Sequence, residues 1–163
     1  MTVLVKIHVI CVGKLKEKFY VDAAAEYLKR LSAYANLTLV ELPEERLPQA
    51  PSPGQIEAAL AREAEAIRAK LPSGASLIAL CVEGRLRSSE ELAHLISTWS
   101  NSGSKHLVFV IGGSYGLHPS LKAEAWVRLS MSPMTFPHHL ARVMLLEQVY
   151  RAFKINEGSS YHK

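Results

Sequence analysis

The segment Leu107-Val-Phe-Val-Ile-Gly-Gly-Ser-Tyr-Gly-Leu-His-Pro119 decides how the rest of the chain is read. Residues 107–111 are apolar and mostly β-branched or aromatic, the pattern of a strand buried on both faces. The run stops at Gly112-Gly113, with Gly116 three residues further on. Paired glycines at the carboxyl end of a buried strand clear side chains from the place where the chain turns. A ligand can then lie against backbone N–H and C=O groups, and open α/β sheets bind ligands at this end of their strands. A plain tight turn is the competing reading. The stretch Leu129-Ser-Met-Ser-Pro-Met-Thr-Phe-Pro137 favours the ligand. It is apolar, yet Ser132, Pro133 and Pro137 break it too often for an ordinary helix or strand. An apolar loop must be buried somewhere, and beside the glycine turn it makes a pocket. A side chain at Gly112 is then expected to displace the ligand and leave the fold intact.

Working outward, strands and helices alternate. Residues 3–13 read as a strand ending in a glycine turn, followed by Lys14, Lys16 and Lys18. Phe19, Ala23, Tyr27 and Leu31 recur every four residues, the stripe of an amphipathic helix. Residues 37–42 are a second strand, and the proline-rich residues 43–53 are a surface excursion. Ser52 and Gln55 form a capping box around Pro53, opening a helix with Ile56, Leu60, Ala64 and Ile67 inside. Residues 76–82 are a third strand, and Glu83-Gly84-Arg85 is read as a turn. Ser88 and Glu91 form another capping box, for a helix burying Leu92, Leu95, Ile96 and Trp99. A helical stretch at residues 120–124, a short strand at 126–130 and a last helix at 137–154 complete the chain. The alternation implies one α/β domain over residues 1–163, with a mostly parallel sheet and helices on both faces.

Composition bounds the function. The chain has 163 residues, 48% of them hydrophobic, enough for one full core. A net charge of +4 suits an anionic partner. Cys11 and Cys81 sit singly in apolar runs, as a reducing compartment permits, so no disulfide is expected. Lys6 and His8 interrupt the first apolar run, which argues against a signal sequence or membrane span and for a soluble intracellular protein. There is no G-x-G-x-x-G, no phosphate-binding G-x-x-x-x-G-K-[ST] and no G-x-S-x-G. No Cys or His pair has zinc spacing, so no metal is expected. Val143, Met144, Leu145, Leu146, Val149, Tyr150, Ala152 and Phe153 surround the last helix with apolar side chains. Such a helix is buried on more than one side, either within the core or against a second copy, and a two-fold dimer is favoured. The residues alone thus describe a ligand-binding α/β domain with a basic rim.

Six motifs carry a resemblance. They are Gly13-Lys-Leu-Lys-Glu-Lys18, Glu26-Tyr-Leu-Lys-Arg-Leu31, Val110-Ile-Gly-Gly-Ser-Tyr-Gly-Leu117, Met134-Thr-Phe-Pro-His138, Glu147-Gln-Val-Tyr-Arg-Ala-Phe-Lys-Ile155 and Tyr161-His-Lys163. In this order and spacing, from about Lys6 to Lys163, the chain resembles the ribosomal RNA large-subunit methyltransferase H family. This is a SPOUT-class family that methylates N3 of a pseudouridine in 23S rRNA. The resemblance implies a C-terminal trefoil knot, a homodimer, and S-adenosylmethionine (SAM) as methyl donor. It implies SAM binding by Leu80, Gly112, Met131, Ser132, Pro133, Met134, Thr135 and Phe136. The 23S rRNA would be met within the large subunit or the whole ribosome. Candidates for stabilising the N3 anion are His162 and Lys163 in the tail and Arg142 and Arg151 on the last helix, with Tyr161 of the tail motif also a catalytic candidate. Lys14, Lys16, Lys18 and Arg151 are candidate RNA contacts, although Glu147 lies four residues before Arg151 and an ion pair explains it equally. His118 and His138 are expected to be structural hydrogen-bonders. The alternatives are an RNA-binding protein of this fold without catalysis, and a tRNA methyltransferase of the same class.

Overall fold

The computed structural model describes residues 4–163. Its strands are β1 (Val5–Val12), β2 (Ala35–Leu42), β3 (Ser76–Leu86), β4 (His106–Ile111) and β5 (Val127–Ser130). Its helices are α1 (Lys18–Leu31), α2 (Pro53–Arg68), α3 (Ser89–Asn101), α4 (Pro119–Glu124) and α5 (His138–Asn156). The expected start of the first strand at Val3 lies outside the described residues. Among the described residues the strands form one sheet in the order β2-β1-β4-β3-β5, and every pair is parallel.

Strand alternation divides the core. Ile7, Val9 and Cys11 of β1, with Leu107, Phe109 and Ile111 of β4, face α1, α3 and α5. Ile10 and Val12, with Val108 and Val110, face α2 and the Leu117–Leu121 segment. Continuous apolar runs therefore mark strands covered on both faces, as a parallel sheet requires. Both expected capping boxes are present: Ser52 Oγ accepts the Gln55 N–H, and Ser88 Oγ accepts the Glu91 N–H. Each cap contributes about 1 kcal/mol to its helix.

Three sequence expectations change. The third strand does not end at Val82; it continues through Glu83-Gly84-Arg85 to Leu86. Leu80 and Arg85 both pair with Leu129, so the intervening residues bulge from the ladder. A Cβ on Gly84 would lie 2.8 Å from the Arg128 carbonyl carbon, so only glycine permits this approach. Phe19 is 65% exposed, whereas Tyr27 and Leu31 of the expected stripe do face the core, joined by Ala24 and Leu28. The last helix starts at His138 and runs on to Asn156. It packs between α1 and α3, and none of residues 138–155 is fully exposed. Much of its all-round apolar character is thus satisfied within one chain.

Candidate active site at the glycine turn

The centre of the site is the carboxyl end of β4, the middle strand. Gly116 N–H donates to the Gly113 carbonyl at 3.0 Å, closing residues 113–116 into a tight turn. Gly116 takes a φ of +78°, which favours glycine. A Cβ on Gly112 would overlap the Gly116 carbonyl oxygen. Gly112 is therefore required by the turn's own backbone, and a substitution there breaks the turn as well as any ligand contact. This corrects the expectation that such a change leaves the fold intact. Glu44, just after β2, holds the same turn from outside: its carboxylate accepts the Ser114 N–H at 2.7 Å. That carboxylate fills the space a Cβ on Gly113 would need, at 2.6 Å.

Beside the turn lies a cavity of about 700 Å³. Leu80, Gly112, Met131, Ser132, Met134, Thr135 and Phe136 all line it, with Leu117 and Leu129. Pro133 is not among the lining residues, because the Ser132–Met134 hydrogen bond turns the loop there. The cavity matches the usual size of a cofactor site, and its walls combine apolar side chains with backbone groups of the glycine turn. Met134 (72% exposed) and Tyr115 (48%) project from its mouth. Glu83 and Lys122, also in the wall, form an ion pair at 2.5 Å. The Lys122 ammonium holds the Glu83 carboxyl below its usual range. Burial, then Glu83, pushes the Cys81 thiol up, so it stays protonated.

The expected catalytic and RNA-binding residues occupy different places. Arg142 is 1% exposed, donating to Glu41 Oε2 at 2.5 Å and to the Gly13 carbonyl at 2.8 Å. It pins α5 to the β1 end and is turned away from solvent. Gly13 itself has a φ of +106° and is covered by the His138 ring. The tail docks on its own chain. Tyr161 Oη donates to Glu147, His162 Nε2 lies 2.7 Å from Glu90 Oε1, and its Nδ1 lies 3.2 Å from an Arg151 nitrogen. Arg151 is paired with Glu147 at 2.6 Å and stacks over Tyr161. Neither Tyr161, His162 nor Lys163 lines the cavity. A second cavity of about 560 Å³ lies near this tail, lined by Tyr27, Ser89, Val143, Met144, Glu147 and Gln148 among others. Lys14, Lys16 and Lys18 are all exposed, and Lys18 also pairs with Asp22 at 2.5 Å.

Of the two histidines expected to be structural, His118 is one: it caps α4 through Ser120 and pairs with Glu57 at 2.8 Å. His138 is not. It lines the cavity, and Glu44, His139 and Arg142 act on it through charge, with no side-chain hydrogen bond to it among the described residues. Glu44, Cys81, Glu83, Tyr115, Lys122 and His138 were not singled out for this site by sequence reasoning. Two of the quoted motifs did contain one of them each: Val110–Leu117 holds Tyr115, and Met134–His138 ends on His138.

Comparison with known proteins assigns the frame. A family model described as a predicted SPOUT methyltransferase matches residues 5–162. Two proteins of Listeria monocytogenes, from strains CLIP80459 and EGD-e, are each 45% identical over 157 residues. The alignments cover 96% of this chain and 99% of each relative, and both relatives are named ribosomal RNA large subunit methyltransferase H. A solved structure of a probable methylase family protein from Haemophilus influenzae Rd KW20 shares the fold, with a TM-score of 0.53 at 16% identity. That match covers 96% of this chain and 70% of the solved one. With a family model across nearly its full length and relatives this similar, the chain belongs to the SPOUT methyltransferase family, in the group of the ribosomal RNA large subunit methyltransferase H proteins.

Proposed function

We propose that this protein transfers a methyl group from SAM to N3 of a pseudouridine in 23S rRNA of the large ribosomal subunit. The observation that carries this reading is the cavity at the glycine turn in a chain 45% identical to large-subunit rRNA methyltransferases. The residues present suit the donor. Leu80, Met131 and Phe136 offer an apolar slot for adenine, and the backbone around Gly112 and the 131–136 loop offers hydrogen bonds. When bound, SAM supplies an electrophilic methyl carbon on a sulfonium. The chain's own task is to hold N3 in line with that carbon and favour its unprotonated form. The exposed Lys14 and Lys16 suit contact with RNA phosphates. A trefoil knot around the 131–136 loop belongs to this reading.

A homodimer belongs to it as well. The tail is anchored at Glu147 and Arg151, roughly 9–15 Å along α5 from the cavity residue Ala141 at ~1.5 Å per residue. In this reading two copies pair so that one copy's tail faces the other's cavity. The half-buried Val143 and Met144 beside the second cavity are suitable contact residues. The test is mass spectrometry of 23S rRNA from ribosomes incubated with the protein and SAM. A gain of one methyl group on a single pseudouridine is expected; unmodified rRNA, with SAM bound, would leave an RNA-binding role only.

A further inference from the structure

Among the described residues lining the cavity, five have ionisable side chains: Cys81, Glu83, Tyr115, Lys122 and His138. Methylation of an imide nitrogen needs a group that accepts the N3 proton. Tyr115 offers a phenol O–H, and Lys122 has donors only and is already paired with Glu83. The Cys81 thiol is held protonated by burial. Glu83 is committed to Lys122, and its depressed basicity makes it a poor acceptor. His138 stands apart. It is half-buried at the start of α5, its ring lies over Gly13, and its centroid is 4.0 Å from that of His139.

We infer that His138 is the general base of the reaction, taking the N3 proton of the target base onto an unprotonated ring nitrogen. The inference rests on the methyltransferase reading above. The step balances: the N–H pair stays on N3 and forms the N–CH3 bond, and the S–CH3 pair remains on sulfur as the neutral thioether. The proton now on His138 then passes to water. The groups facing His138 keep it ready. Burial lowers its basicity, and the neighbouring His139 and Arg142 act in the same direction, against the single opposing charge of Glu44. The ring is therefore uncharged at neutral pH, the form a base needs. Arg142 four residues on, spent on Glu41 and Gly13, fixes the helix turn that carries the ring.

The experiment compares wild type with His138→Asn and His138→Gln. In donor-free protein, NMR titration of the histidine rings should find one that titrates below the ordinary value and is missing in both variants. Calorimetry should show SAM affinity within twofold of wild type. Single-turnover methylation of ribosomes at saturating SAM should fall by ~10²–10⁴-fold near pH 7. The deficit should shrink about tenfold per pH unit as pH rises, because hydroxide replaces the missing base, and added imidazole should restore part of the rate. A deficit constant with pH and untouched by imidazole would make His138 a positioning residue, and an undiminished rate would remove it from the chemistry. Either result overturns the proposal. A wild type that binds SAM but methylates no rRNA would instead refute the underlying functional reading. If the tail deletion of residues 161–163, rather than the His138 variants, produces the pH-dependent deficit, the base is His162.

Discussion

Replacing Arg142 with methionine tests whether this side chain holds the fold or does chemistry. Its guanidinium is 1% exposed and gives one nitrogen to Glu41 and another to the Gly13 carbonyl. Truncating one member of a buried pair costs about 3–5 kcal/mol when the other charge is stranded. Here Glu41 is one-third exposed (34%) and keeps the Leu15 N–H, so water offsets part of that loss. The Gly13 carbonyl loses a buried donor, worth about 1–3 kcal/mol, and methionine restores apolar packing. The net expectation is a loss of roughly 2–4 kcal/mol, or about 4–16 °C in Tm for a domain of this size. The assay is thermal and urea unfolding followed by circular dichroism, at one fixed protein concentration because any self-association makes Tm depend on it. Acid adds a signature. Burial pushes the Glu41 carboxyl up, but Arg142, the Leu15 N–H and Lys14 outweigh it and hold it below the usual value. A depressed carboxylate stabilises above its unfolded pKa, about 4.3, and that stability is lost as pH falls through the folded one. The wild type's advantage should therefore be complete at pH 6 and shrink below about pH 4. An Arg142→Met protein with wild-type Tm and abolished methyl transfer would refute the structural assignment and return Arg142 to the catalytic candidates.

Gly112→Ala should lower Tm and SAM affinity together, since its Cβ meets the Gly116 carbonyl; loss of affinity at unchanged Tm would show that the turn absorbs the side chain. Glu63→Gln should raise stability at pH 7. Burial, together with Glu44 and Glu45, raises the Glu63 pKa against the opposing Glu45 N–H, so its favourable contribution is full below the unfolded pKa and lost as pH rises through the folded one. The gain should vanish in unfolding curves below about pH 4. Changing Lys14 and Lys16 to alanine should weaken ribosome binding and flatten its salt dependence, by a slope of about 1 for each phosphate that a lysine had neutralised, with SAM affinity untouched.

Features written in short-range chemistry were legible in the chain. Ser52 with Gln55 and Ser88 with Glu91 need only three-residue spacing, and both boxes form. The apolar run 107–111 became the central strand because burial on both faces leaves its mark on every residue. Strand order was not legible, since no local pattern says that β4 inserts between β1 and β3. The continuation of β3 was hidden for a similar reason. Glu83-Gly84-Arg85 looks like a turn until Arg128 is seen to press against Gly84. Phe19 misled because aromatic residues usually mark the buried stripe of a helix, and here the tertiary frame faces it outward.

The site divides along the same line. The 131–136 loop could be placed because an apolar stretch unable to form regular structure suits a pocket wall, and it does line the cavity. It is not buried there: Pro133, Met134 and Thr135 are exposed. Arg142 and His138 could not be separated by sequence, because a cation and an imidazole on a helix look equally available to substrate. Geometry separates them. The four-residue spacing sets both on one face of α5, above the same turn at Gly13. One reaches past that turn into the interior and spends its donors on Glu41 and a carbonyl. The other stops over the glycine, where the absent side chain leaves room for a ring at the cavity wall. A side chain at Gly13 would meet that ring at 2.9 Å and displace it. The glycine that looked like a simple strand terminator is thus also what lets α5 present His138 to the cavity.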